Sequence, residues 1–442
     1  MKHVDAAGHA LSGANAEGVA HFDTAAQQLR CYVGDPLASV DAALAAAPQM
    51  VMAHAMKGYL HLLGTEPAGL PVARECFSAA AGLPADERER GHLEAVRLLA
   101  EGRWRAAGRV LEDVAIAWPR DALALQVGHQ IDFFRGDSRM LRDRIARALP
   151  AWSRSMPGYH ALLGMRAFGL EETGDYAQAE AAGRAAVELE RRDTWAWHAV
   201  AHVHEMRNRP ADGIAWMTAD SQAWSEDSFF AVHNWWHLAL YHLETGAVDE
   251  VLRLFDGPIF GRRSNVVLDM IDASAMLWRL HLRGLDVRGR FAELADLWAP
   301  IAAAGNYAFN DMHAMMALVG SGREQEQQAV LEAQRAAMAG DADNAGFTRD
   351  VGHAAASAIH AFGQGRYAEC VELLRPIRSG AARFGGSHAQ RDVIDLTLIE
   401  AAYRGGDAPL AAALAAERAA LRPASPLARL LVQRSAGLRQ AA

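Results

Sequence analysis

Three cysteines, Cys31, Cys76 and Cys370, are all that the 442 residues contain, and none belongs to a CxxC pair. This excludes a disulfide framework and a thiolate zinc site, and it fits a reducing compartment. Long apolar runs are missing too. No stretch of roughly 18 uncharged apolar residues occurs, and Met1-Lys2-His3-Val4-Asp5 lacks the basic-then-apolar pattern of an export signal. The expectation is a cytoplasmic protein that neither crosses a membrane nor leaves by a cleaved leader. Positive charge is not in excess: Lys and Arg number 44 against 53 Asp and Glu, a formal charge of −9. That balance argues against a partner bound through its nucleic-acid phosphates. β-Branched residues rarely alternate with polar ones, so the usual strand signal is absent. No glycine-rich phosphate loop or dinucleotide fingerprint is found, which leaves nucleotide-dependent chemistry unsupported.

Alanine, leucine, glutamate and arginine fill most windows instead, and about half the chain is apolar. The fold class this predicts is all-α. Turns of the form Gly-x-x recur at Gly102, Gly136, Gly174, Gly246, Gly289, Gly322, Gly365 and Gly406, with Asn208-Arg209-Pro210 in the same place once. Successive turns lie 33 to 43 residues apart. A two-helix unit of that size leaves one face apolar, and only the next unit covers it, so a superhelical solenoid of stacked hairpins follows. The clearest unit runs from Ala161 to Glu171, turns at Thr173-Gly174-Asp175, and continues from Tyr176 to Glu190. Its Ala179, Ala182, Ala185 and Ala186 permit close helix approach. This unit resembles a tetratricopeptide repeat. Residues 1–22, rich in Ala, Gly, Ser and Asn, read as an arm or cap, and residues 23–442 as a single superhelical domain. Phe255 to Asn265 and Ala339 to Gly346 read as loops between repeats, and Leu410 to Arg422 and Pro426 to Leu438 as closing helices.

If the helix before each turn is called A and the one after it B, every histidine from His54 onward falls in an A helix. A helices line the inner surface of tetratricopeptide superhelices, so imidazoles are expected along the inside of the coil. Two strings are dense. His198 and His202 are one turn apart behind Trp195, and His233 and His237 repeat that spacing in the next A helix within His233-Asn234-Trp235-Trp236-His237. Pairs at i, i+4 can hold a divalent metal between His198, His202, His233 and His237, with Asp272, Asp311 or His313 as a further ligand. The same rings can serve without metal as acid, base or donor, or simply pack and hydrogen-bond. HExxH is absent, because Met206-Arg207-Asn208 follows His204-Glu205. Trp195, Trp236 and Trp278 supply flat apolar walls suited to a compact ligand, or to interhelical packing.

These strings, together with Asp272 and Leu277-Trp278-Arg279, Asn310-Asp311-Met312-His313-Ala314-Met315-Met316-Ala317, and Gly385-Gly386-Ser387-His388-Ala389-Gln390-Arg391-Asp392, resemble the tetratricopeptide repeat protein 38 family from about Asp23 to about Leu421. The resemblance implies an all-helical, tetratricopeptide-like superhelix in a soluble intracellular protein. It implies no chemistry. In the last string, Ser387 is placed to cap a helix, and His388 and Arg391 in its first turn can either seat an anion or belong to an ordinary cap with Asp392 answering the helix dipole.

The expected function is a concave site for a small molecule, with catalysis by hydrolysis or acyl transfer at a carbonyl or amide. His198, His202, His233, His237, Asp272, His313 and His388 would act on the substrate. Trp195, Trp236, Trp278, Asn310, Asp311, His353, Ser387 and Arg391 would bind it. The alternative is a non-catalytic scaffold gripping a partner peptide or protein in the groove. A groove open along its length favours the peptide, and a plugged one favours the small molecule.

Overall fold

The computed structural model describes residues 3–441. The fold is all-α, an α-α superhelix of hairpins. Among the described residues there is no strand, only two isolated bridges, Val4 to Ala10 and Val33 to Ser228. The hairpins are α1 (Ala16–Cys31) with α2 (Pro36–Ala46), α3 (Val51–Leu63) with α4 (Gly69–Ala80), α5 (Glu87–Ala100) with α6 (Trp104–Ala117), α7 (Ala122–Phe134) with α8 (Ser138–Ala148), α9 (Tyr159–Glu171) with α10 (Tyr176–Leu189), and α11 (Thr194–Met206) with α12 (Pro210–Ala219). After the short α13 (Ser221–Ser225) come α14 (Ala231–Thr245) with α15 (Val248–Leu254), α16 (Val267–Leu282) with α17 (Arg288–Trp298), and α18 (Ala308–Ser321) with α19 (Glu324–Met338). The short α20 (Asp343–Phe347) leads into α21 (His353–Gly363) with α22 (Tyr367–Leu374), then α23 (His388–Arg404) with α24 (Ala408–Leu421), and last α25 (Pro426–Ala441).

Seven of the expected glycine turns adopt the left-handed backbone that ends a helix without steric cost, and Asn208 does so at φ 50°. Gly289 does not: it is the second residue of α17. The turn is made by Gly284 at φ 83°, halfway between Gly246 and Gly322. The reason lies in the length of α16. It ends at Leu282, and the backbone N–H groups of Gly284 and Leu285 fold back to the carbonyls of His281 and Leu280, a closure that needs its left-handed residue directly past the helix end. The two stretches read as loops carry helical turns, a π-helical one at Phe255–Ile259 and α20 within 339–346 and one residue beyond. On α10, Ala179, Gly183 and Ala186 are buried, and Gly183 permits close approach to the next hairpin: a Cβ there would lie 2.5 Å from Val200 Cγ2 of α11.

The chain divides into two compact units, Met1–Val203 with Asp220–Asn234, and His204–Ala219 with Trp235–Ala442. The first unit joins its own ends. Thr194 Oγ1 donates to Cys31 O at 2.5 Å, Ser228 Oγ to Tyr32 O at 2.9 Å, and Gly34 N to Asp227 O at 2.7 Å. Tyr32 and Asp227 both take left-handed backbones, at φ 58° and 53°, an unusual conformation for side-chain-bearing residues that these contacts hold in place. α1 begins inside the segment read as an arm, and its Phe22 is buried, as is Leu11 before it. Ser12 N donates to Glu89 Oε1 at 2.8 Å, and Arg88 Nη2 donates to Ala10 O at 3.0 Å, so the segment before α1 is fastened to α5.

The second unit is tied in the same manner. Trp278 Nε1 donates to Thr397 Oγ1 at 2.9 Å, Arg279 Nη2 to Ala389 O at 2.7 Å, and Arg422 Nη1 to Glu205 Oε1 at 3.0 Å. Thus α23 and the chain after it return to the helices that begin the unit. No helix among the described residues is long and apolar enough to cross a membrane.

Candidate functional site: a three-histidine cluster

Every histidine from His54 onward lies in the first helix of a hairpin, or in α14, α21 and α23, which occupy the same position. Two of these positions have a structural explanation. Asp121 caps α7 by accepting from Ala124 N, and its other oxygen takes His92 Nε2 of α5 at 2.9 Å and Arg88 Nη1 at 2.8 Å. Asp193 does the same one step later, accepting from Ala196 N of α11 and from His160 Nδ1 of α9 at 2.8 Å. A helix-capping aspartate thus clips the next A helix to an imidazole on the one before. His360 of α21 makes a comparable local bond, Nδ1 to Gln327 Oε1 at 2.7 Å. These rings are used in packing, each within its own layer.

His198, His202 and His233 are different. The i, i+4 spacing of α11 sets the His198 and His202 ring centroids 4.4 Å apart and nearly perpendicular. His233, near the start of α14, reaches across so that its Nε2 lies 3.1 Å from His198 Nε2. One nitrogen from each of the three rings falls within 4.8 Å of the others. Two ligands of a tetrahedral zinc ion with bonds of about 2.0–2.1 Å sit roughly 3.3 Å apart, so the His198–His233 spacing suits a shared ion. Behind His202, Glu171 Oε2 approaches Nδ1 at 3.6 Å, and Glu171, Glu172 and His202 form a second ligand-capable group in which each atom is within 4.8 Å of the others. A carboxylate on Nδ1 directs Nε2 outward, the arrangement seen behind metal-binding histidines.

Aromatic rings enclose the cluster. Phe168 stacks on His198 at 5.4 Å and meets His202 edge-on at 5.2 Å; Trp195 lies 4.7 Å from His198; Phe230 is 5.1 Å from His198 and 5.0 Å from His233. Trp195 in turn stacks on Tyr32, and Tyr32 contacts Phe229 and Phe230. His198 and His202 are buried, while His233 keeps partial exposure. Access to the cluster is therefore past His233.

The other expected residues belong to the second unit. His237 follows His233 by one turn on α14, and its ring meets that of Trp236 edge-on at 5.0 Å. Trp236 is fully buried beneath the Arg279 guanidinium, 5.3 Å from its centroid. Trp278 is fully buried and spends its N–H on Thr397. Asp272 is buried on α16. Asn310 and Asp311 are buried on α18, where Gln334 Nε2 donates to Asp311 Oδ2 at 3.2 Å and Gln334 Oε1 faces His353 Nδ1 at the same distance. Burial pushes the Asp311 carboxyl up to about 7. His313 donates from Nδ1 to Phe309 O at 2.8 Å, which leaves Nε2 as a buried acceptor with no hydrogen-bond partner. Desolvation holds its pKa down at about 4.

The 385–392 string forms a cap. Ser387 and Gln390 make a reciprocal capping box at the start of α23, Arg391 donates to Gly386 O, and His388 Nδ1 lies 3.3 Å from Arg391 Nη2. Asp392 is engaged by both terminal nitrogens of Arg418 at 2.8 and 2.9 Å.

Glu171 and Glu172 escaped the sequence reading. Their signal was present: two carboxylates close the last turn of a helix, where the backbone dipole disfavours negative charge unless cations or metal answer it. A comparison with models of known families finds none that matches this chain.

Proposed function

We propose that this chain is a tetratricopeptide-like protein, related to the tetratricopeptide repeat protein 38 group, that binds a divalent transition metal at His198, His202 and His233. Bound there, the ion would supply Lewis-acid chemistry for hydrolysis or acyl transfer at the carbonyl of a small molecule. The observation that carries this reading is the convergence of three ring nitrogens from α11 and α14, with Glu171 seated behind His202. These imidazoles would hold the ion, which would supply an activated water as nucleophile at neutral pH. In the reaction, water oxygen adds to the carbonyl carbon, the C–N or C–O bond breaks, and the departing amine or alcohol takes up a proton. Glu171 is a positioning residue, acting through His202.

Tyr32, Phe230 and Trp195 pack against one another beside the cluster, and this aromatic packing supports a compact substrate over a partner peptide. A cytoplasmic setting fits the three scattered thiols, all of them buried and free.

The test is elemental analysis of protein expressed with ample zinc, manganese, iron, nickel and copper, alongside His198→Ala and His233→Ala. About one equivalent per chain is expected for the native protein, with loss in both variants. Native protein without bound metal would remove the metal. An untargeted metabolite comparison of the same three proteins tests the reaction. If no small molecule changes while one protein partner co-purifies with all three, the scaffold reading replaces the enzyme.

A further inference from the structure

A second feature of the first unit stands apart from the histidines. A cavity of about 120 Å³ is lined by Arg105, Gly108, Arg109 and Glu112 of α6, Asp132 of α7, Arg135, and Met140 and Arg144 of α8. One water needs about 10–15 Å³ of such space, so the cavity holds several waters or one small ligand. Arg105, Arg109 and Glu112 follow one another at i, i+4 and i+7 on one stripe of α6, which explains why they share this wall.

Four guanidinium groups face two carboxylates here, on a chain whose net charge is negative. Both carboxylates are already engaged. Asp132 is held by Arg144 from Nε at 2.8 Å and Nη2 at 3.2 Å, and Glu112 by Arg147 at 2.6 Å. Arg135 pairs with Asp137 at 2.5 Å. Arg109 has no carboxylate partner among the described residues, and the cavity retains an excess of positive charge. Arg144 is itself only 2% exposed, and its Nη1 is buried without a hydrogen-bond partner.

Glycine makes the room. A Cβ on Gly128 would lie 2.6 Å from Arg144 Cζ, and one on Gly108 would lie 3.1 Å from Arg135 Nη1. The bare Gly108 carbonyl also accepts from Arg144 Nη2 at 3.2 Å. A buried guanidinium held by Asp132, with three more accessible guanidinium groups lining the same cavity, matches the oxygens of a tetrahedral or planar oxyanion.

We infer that this notch binds phosphate, either free or as the phosphoryl group of a small phosphorylated metabolite, through Arg105, Arg109, Arg135 and Arg144. The site shares no residue with the histidine cluster, so it stands or falls independently.

The experiment is calorimetric titration of the full chain at constant ionic strength with inorganic phosphate and, separately, with glycerol 3-phosphate. The native protein is compared with the double variant Arg105→Gln/Arg109→Gln. Both arginines are exposed, and circular dichroism confirms the fold. Saturable binding that weakens about tenfold or more in the double variant is expected. Tighter binding of the monoester identifies a phosphorylated metabolite as the ligand, and tighter binding of inorganic phosphate identifies the free ion. Absence of saturable binding of both, or equal affinity in the double variant, overturns the assignment.

Discussion

His198 Nε2 and His233 Nε2 lie 3.1 Å apart, so without an ion one nitrogen must donate its hydrogen to the other. Metal binding at both nitrogens moves that hydrogen to Nδ1 of the same ring. Titration with zinc at a series of pH values is expected to show affinity falling as pH is lowered, because protons compete for the ring nitrogens. Affinity independent of pH would place the metal elsewhere.

Asp193 caps α11 and holds His160 from a fully buried position. Asp193→Ala removes a helix cap and a charge-assisted bond, an expected loss of roughly 2–4 kcal/mol. Asp193→Asn keeps the capping oxygen and is expected to lose less. Urea denaturation of the two variants measures the difference, and equal losses would show that the cap contributes nothing and that the loss lies in the bond to His160.

Stability should depend on pH through two opposing sets of groups. The Asp311 carboxyl titrates near 7 in the folded chain against an ordinary value of 3.8, so between about 4 and 7 the folded state binds more protons and loses stability as pH rises. His313 and His129 are held down at about 4 and 3 from an ordinary 6.5, so stability attached to them is complete above about 6.5 and is lost as pH falls. Asp311→Asn removes the first set alone. Denaturation between pH 4.5 and 7.5 is expected to show stability rising more steeply with pH in this variant than in the native chain; parallel curves would contradict the raised carboxyl.

At Gly320 a Cβ would lie 2.3 Å from the Phe291 ring, which is itself fully buried in α17. Gly320→Ala must push α17 and α18 apart, at an expected cost of about 1–3 kcal/mol. Thermal melting with unchanged far-ultraviolet dichroism is the check. An unshifted midpoint would mean that Phe291 moves aside freely.

The helical fold was legible because its signals are local. Left-handed turns demand glycine or asparagine, and the interval between them measures one hairpin. Gly289 misled because spacing alone cannot tell a turn glycine from one near a helix start; Gly284 lies only five residues earlier. Gathering the histidines into A helices was also legible, but their purposes were not. His160 and His198 look alike in sequence, and only the position of Asp193 separates a packing clip from a ring in the cluster. The arginine notch was invisible, since Arg109 and Arg144 meet through the stacking of α6 on α8 rather than through any motif.

The joining of the first unit's ends sets a schedule for biosynthesis. Thr194 leaves the ribosome 163 residues after the Cys31 carbonyl it must bind, an interval on the order of ten seconds or more at about 5–20 residues per second. Throughout that wait Tyr32 lacks its indole neighbour, and Phe229 and Phe230 have yet to reach it. Chaperone dependence and sensitivity to translation speed are the natural consequences, and they should be sharpest for chains interrupted between Cys31 and Ser228.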